Sequence, residues 1–147
     1  MSERSLRVKV YVDGGARGNP GPAGAGVVIC DKADGQALLE RGIYLGRATN
    51  NVAEYRGLLA GLEMALTLGA AEAEVFSDSQ LMVRQMKGVY RVRNEGLRPL
   101  HEEANILAGR LRKFSITHVR REKNTQADKL VNMAIDLKRT VECLDAQ

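Results

Sequence analysis

Leu6, Val8, Val10 and Val12 alternate with Arg7, Lys9 and Tyr11, the two-residue period of a strand with one face on a core. That strand is expected to end on Asp13, where Gly14-Gly15-Ala16-Arg17-Gly18-Asn19-Pro20-Gly21-Pro22 begins. Small and apolar residues from Ala23 to Cys30 read as a second strand, Asp31 to Gly35 as a hairpin turn, and Gln36 to Leu45 as a third strand. The period then changes. Leu58, Leu59, Leu62, Ala65 and Leu66 recur at helical spacing up to Gly69, and Asn51 and Glu54 have the separation of a capping pair at that helix's start. Ala73 to Ser77 reads as a fourth strand, Leu81 to Met86 as a brief helix and Gly88 to Gly96 as a polar, basic crossing. Leu97 to Arg112 reads as a second long helix, Phe114 to Val119 as a fifth strand, and Thr125 to Leu137 as a last helix with Asn124 as its cap. Residues 138 to 147 either fray or dock through Val141 and Leu144. A meander followed by strand and helix alternation predicts an α/β fold. Its five-stranded mixed sheet has three antiparallel strands, then parallel ones, with helices on both faces.

At 147 residues, with no repeat, low-complexity run or linker, the chain reads as one domain with a core from about 6 to 137. No stretch stays apolar for the roughly 18 residues of a membrane span, and no signal-like segment follows Met1, so the expectation is a cytoplasmic protein without a membrane partner. Cys30 and Cys143 have neither metal nor redox spacing and read as two reduced thiols.

The net charge of +4 becomes informative through its distribution. Arg84, Lys87, Arg91, Arg93 and Arg98 stand against Glu95 alone, a local excess of +4. Arg110, Arg112, Lys113, Arg120, Arg121 and Lys123 stand against Glu122, an excess of +5. Such runs often form plain solvated faces. Two of them beside an acidic metal-site pattern favour a phosphate backbone as partner.

That acidic pattern comprises Asp13, Glu54, Asp78 and Asp128. Each has an ordinary structural job to offer: opening a turn, completing a capping box, starting the short helix, or complementing a helix dipole. Jointly they sit at strand ends and helix starts that share one edge of such a sheet, the edge where ligands bind. Four convergent carboxylates cost several kcal/mol unless cations neutralise them. Oxygen ligands without grouped histidine or cysteine suit magnesium rather than zinc.

Asp13-Gly14-Gly15-Ala16-Arg17-Gly18-Asn19-Pro20-Gly21-Pro22, Thr49-Asn50-Asn51-Val52-Ala53-Glu54, Ser77-Asp78-Ser79-Gln80 and Asn124-Thr125-Gln126-Ala127-Asp128 resemble, in order, the signature blocks of type 1 ribonuclease H. The likeness covers residues 6 to about 137 and implies the ribonuclease H-like fold. It also implies an endonuclease cutting the RNA strand of RNA/DNA hybrids to leave 5′-phosphate and 3′-hydroxyl ends. By the family's pattern Asp13, Glu54, Asp78 and Asp128 hold two magnesium ions, Asp13 bridging them, with manganese as a substitute. The resemblance further assigns Glu54 to a 2′-hydroxyl, Asn19, Asn50 and Gln80 to minor-groove sugar and base edges, and Thr49 to a DNA-strand phosphate.

Two departures stand out. The segment Val119 to Asn124 lacks the histidine that many members carry before the last aspartate, so either Arg121 or Glu122 assists product release or metal-bound water suffices and release is slower; His118 reads as structural on the fifth strand. Lys87 to Leu97 is too short for the basic, tryptophan-rich protrusion of some members, so this is a compact form whose grip rests on Arg84, Lys87, Arg91 and Arg93 or on the second basic segment. The expected partner is an RNA/DNA hybrid, with double-stranded RNA as a further candidate, and the expected state a monomer. The rival readings are a hybrid- or double-stranded-RNA-binding module with a degraded site, a nuclease acting on both duplexes, and a junction resolvase of the same superfamily.

Overall fold

In the computed structural model, residues 5–142 are described. The strands are β1 (Leu6–Ala16), β2 (Gly21–Asp31), β3 (Ala37–Ala48), β4 (Ala70–Ser77), β5 (Lys113–His118) and β6 (Val141–Glu142). The helices are α1 (Asn50–Thr67), α2 (Gln80–Met86), α3 (Arg98–Gly109) and α4 (Thr125–Leu137), with a 3-10 turn at Arg121–Lys123. The sheet order is β5-β4-β1-β2-β3-β6; β1 runs parallel to β4 and β4 to β5, while the other pairs are antiparallel.

The inward positions of β1 are Val8, Val10 and Val12, all fully buried with Leu58, Leu62 and Ala65 of α1 in the main core. α3 supplies Ala104 and Leu107 to the same core, so α1 is sandwiched and buries residues around much of its circumference. Truncating Leu62 there to alanine costs about 2–5 kcal/mol. On the opposite face α4 packs Ala127 and Leu130 over Val28 of β2. Helices therefore cover both faces, as expected.

Three expectations need correction. The sheet has six strands: beyond α4 the chain returns as β6, Val141 pairing with Gly42 and Glu142 with Arg41, where an Arg41–Glu142 ion pair closes at 3.1 Å. The tail thus docks through Val141; Leu144 and Cys143 lie outside the described residues. A two-residue strand has no period to read. Secondly, β1 does not stop at Asp13: Gly14, Gly15 and Ala16 continue the ladder against Ala25, Gly24 and Ala23. What ends at Val12 is the pairing with β4, through Val12 opposite Ser77. Thirdly, the α1 cap is Thr49, whose Oγ1 accepts from the Val52 N–H at 3.2 Å, rather than an Asn51–Glu54 box. Among the described residues no helix is long and apolar enough to cross a membrane.

Candidate active site

The parallel register between β1 and β4 places Asp13 and Asp78 one residue beyond the last matched pair, side by side at the sheet edge. Asp78 is held in a tight exit: the Ser79 N–H donates to Ser77 Oγ at 3.0 Å, and Ser79 Oγ accepts from the Met82 N–H at 3.3 Å to cap α2. Glu54 reaches the edge because α1 lies directly on β1. A Cβ on Gly14 would strike the Ala53 carbonyl, and one on Gly57 would strike the carbonyl of Asp13. Gly26 does the same for α4, where a Cβ would strike the Ala127 carbonyl next to Asp128. The glycines thus serve the close approach of helices that carry the remaining two acids.

Asp13, Glu54 and Asp78 each present an oxygen within 4.8 Å of the others. Asp128 lines the same cleft of about 310 Å³ and comes within hydrogen-bonding range of Asp13. Burial, then the Asp78 charge and that of Asp128, push the Asp13 carboxyl up to about 8, although the Gly14 N–H opposes the rise. Burial followed by Asp13 and Asp78 pushes Glu54 up to about 9, opposed by the same N–H and by Arg121. One oxygen of Glu54, Oε1, is buried without a hydrogen-bond partner. Two carboxyls pushed well above the ordinary range and a partnerless oxygen mark an acidic cluster with too little compensating positive charge among its neighbours.

The acidic residues expected from the sequence therefore converge, and Asn50 and Arg121 join them along the cleft. Glu122 does not; it lines a separate groove with Tyr11, Val28 and Gln126. The amides carry structural duties: Asn19 Oδ1 accepts from the Asn50 N–H at 3.0 Å, and Asn50 Oδ1 accepts from the Ala16 N–H at 2.8 Å, fastening the loop after β1 to the start of α1. Gln80 is exposed at the first position of α2. Arg84 donates to the Tyr90 hydroxyl at 2.6 Å and stacks on its ring, while Arg91 and Arg93 are exposed on the α2–α3 connection. These four stand outside the cleft itself. His118 is the exposed last residue of β5.

Asn124 occupies the cap position of α4 without capping it. Its side chain is buried, 2% exposed, and donates from Nδ2 to the Val12 carbonyl at 2.9 Å, tying the start of the Asp128 helix to the strand that carries Asp13. Sequence reasoning also missed Arg17 and Asn132, which line the cleft. Asn132 was signalled by its place four residues after Asp128 on one helix face.

The model of a reverse transcriptase-like family matches residues 11–134. The chain is 48% identical over 131 residues to the bifunctional protein Rv2228c of Mycobacterium tuberculosis, covering 89% of this chain and 36% of that one, so it spans about a third of that relative's length. The solved N-terminal RNase H domain of Rv2228c superposes with a TM-score of 0.87, covering 90% of this chain and 96% of that domain. Ribonuclease HI of Halobacterium salinarum is 43% identical over 134 residues, 91% of this chain and 67% of the relative. LC11-RNase H1, solved in complex with an RNA/DNA hybrid, is 45% identical with a TM-score of 0.84, covering 89% and 98% of the two chains.

Proposed function

Because the chain belongs to the reverse transcriptase-like family that includes type 1 ribonuclease H, we propose that it is a metal-dependent endonuclease hydrolysing the RNA strand of RNA/DNA hybrids to 5′-phosphate and 3′-hydroxyl ends. The observation that carries this reading is the convergence of Asp13, Glu54 and Asp78 within 4.8 Å, with Asp128 beside Asp13. The LC11 relative, solved with a hybrid, supports the substrate class.

The donor set fits a hard divalent ion: all four side chains offer carboxyl oxygen, burial and neighbouring like charge push Asp13 and Glu54 well above the ordinary carboxyl range, and Glu54 Oε1 lacks a partner. Two magnesium ions held by Asp13, Glu54, Asp78 and Asp128 would supply charge compensation and Lewis acidity toward the attacking water and the leaving 3′ oxygen, with manganese as an alternative. The protein's part is positioning. Asp13 and Asp78 are fixed by the strand register, and Glu54 and Asp128 by helices pressed onto glycines, so little reorganisation is needed when substrate arrives. Glu54 also accepts from a ribose 2′-hydroxyl, a contact that DNA cannot offer in the wide minor groove. Asn50 and Asn19, their Oδ1 atoms committed to the fold, present amide N–H groups to sugar and base edges. Gln80 extends that contact, Thr49 seats a DNA-strand phosphate, and Arg84, Arg91 and Arg93 hold the duplex from the α2 side. Arg121, facing the acids, takes the product-release role that the sequence left open between it and Glu122. The same reading makes the chain one ribonuclease H domain, monomeric and acting in the cytoplasm.

The test is cleavage of one labelled sequence presented as RNA/DNA hybrid, duplex RNA, single-stranded RNA and duplex DNA, in magnesium or EDTA, beside Asp13→Asn. Magnesium-dependent cutting confined to the hybrid's RNA strand is the expected result. Cutting of duplex RNA as well would widen the substrate class; tight binding without cutting would make the chain a binding module.

A further inference from the structure

The cleft extends past the carboxylates along α4. Asp128, Asn132 and Asp136 follow at intervals of four and share one face of that helix, while Val131 and Ile135 form an apolar floor beside them. Over this arm stands Arg17, in the loop after β1. Its Nη1 donates to Asp136 Oδ1 at 2.6 Å and its Nη2 to Asn132 Oδ1 at 3.1 Å. Asn132 is itself anchored, its Nδ2 donating to the Asp128 carbonyl at 3.1 Å.

Two cations line the cleft, and they face different ways. Arg121 acts on Glu54, whereas Arg17 is held out over α4, beyond Asp128. The Arg17–Asp136 pair is largely in water, its side chains 48% and 62% exposed. A pair so exposed is held weakly, while a guanidinium fork on a phosphate makes two charge-assisted bonds. A pre-extended arginine also loses less side-chain freedom on binding.

We propose that this arm is a subsite for a phosphodiester of the RNA strand adjacent to the one cut. Arg17 is its ligand, and Asp136 is a resident anion that the phosphate displaces. The proposal rests on the hybrid-nuclease reading of the same cleft. It separates from a simple latch between loop and helix by sign: removing either partner of a latch loosens the loop and harms binding, whereas removing a competitor anion improves it.

The experiment is steady-state cleavage of a hybrid by wild type, Arg17→Ala, Asp136→Asn and the double variant, over a series of salt concentrations. Arg17→Ala raises KM about three- to tenfold with kcat held within about twofold, and reduces the log–log salt slope by about 0.7–0.9, the loss of one phosphate contact. Asp136→Asn lowers KM about two- to threefold by freeing the cation, and the double variant behaves as Arg17→Ala. One uncharged methylphosphonate next to the cut in the RNA strand erases the difference between wild type and Arg17→Ala; the same change in the DNA strand does not. A KM raised by both single variants, or by neither, overturns the proposal, as does erasure by the DNA-strand modification. Failure of wild type to cut the hybrid would instead sink the nuclease reading.

Discussion

β1 and β4 carry or adjoin carboxylates at both ends, and the two ends treat them in opposite ways. Near the start of β4, Glu72 meets the Arg112 guanidinium at 2.8 Å and Glu74 meets Lys32 at 2.8 Å; the Glu72 carboxyl is pulled below its ordinary value, first by its hydrogen bond to Arg112. At the other end Asp13 and Glu54 are buried among like charges and pushed up to about 8 and about 9. The chain had cations to spare for the first end and left the second without enough of them. The acidic edge is thus built to be completed by positive charge from outside, whereas the opposite edge is complete within the chain.

The largest effect is expected from removing one acid at the uncompensated end. Asp13→Asn or Asp78→Asn is expected to reduce hybrid cleavage to background while raising metal-free stability by about 1–3 kcal/mol, because a repulsive charge is lost. Denaturant titration in EDTA checks this, and unfolding of either variant would make the aspartate structural. Next in size is Gly14→Ala, whose Cβ meets the Ala53 carbonyl: about 1–3 kcal/mol of stability and much of the metal affinity should go together, as α1 withdraws Glu54 from the site.

The two ends also respond oppositely to pH. Folded-state values of about 8 and 9 lie above the unfolded carboxyl range, so the native protein binds the extra protons. Their contribution is full below about pH 4 and is lost as pH rises through about 8 to 9, so metal-free stability falls across that window. Saturating magnesium should flatten the fall. Glu72, with a lowered value, contributes in the other sense: its stabilisation is present at neutral pH and lost on acidification. Thermal melts from pH 4 to 9, with EDTA or magnesium, read both. Smallest of all is Lys32→Ala at the compensated end, an exposed pair whose loss should cost less than about 1 kcal/mol and leave kcat and KM unchanged.

Much of the fold was readable because period is a local property. The valines of β1, the leucines of α1 and the bounds of α4, Thr125–Leu137, follow from side chains a few residues apart. The acids were readable for the same reason, each lying at a junction where one period stops. What escaped was set by neighbours distant in sequence: β6 is two residues long and exists because β3 offers an open edge, and β1 runs past Asp13 because β2 pairs with it there. Asn124 had the composition of a cap, yet its amide found the Val12 carbonyl, 112 residues away.

Local pattern in the chain therefore carried the order of elements from β1 to α4, the identity of the four carboxylates and the basic excess of the second half. Hydrophobic period, turn chemistry and charge are written in neighbouring residues. Only the tertiary structure decided that Val12 stands opposite Ser77, that glycines bring Glu54 and Asp128 to Asp13, that Arg121 rather than Glu122 faces the acids, and that Arg17 is paired across the cleft with Asp136. Register, close approach and the share of charge between ends arise when distant segments exclude water together, and no local pattern encodes them.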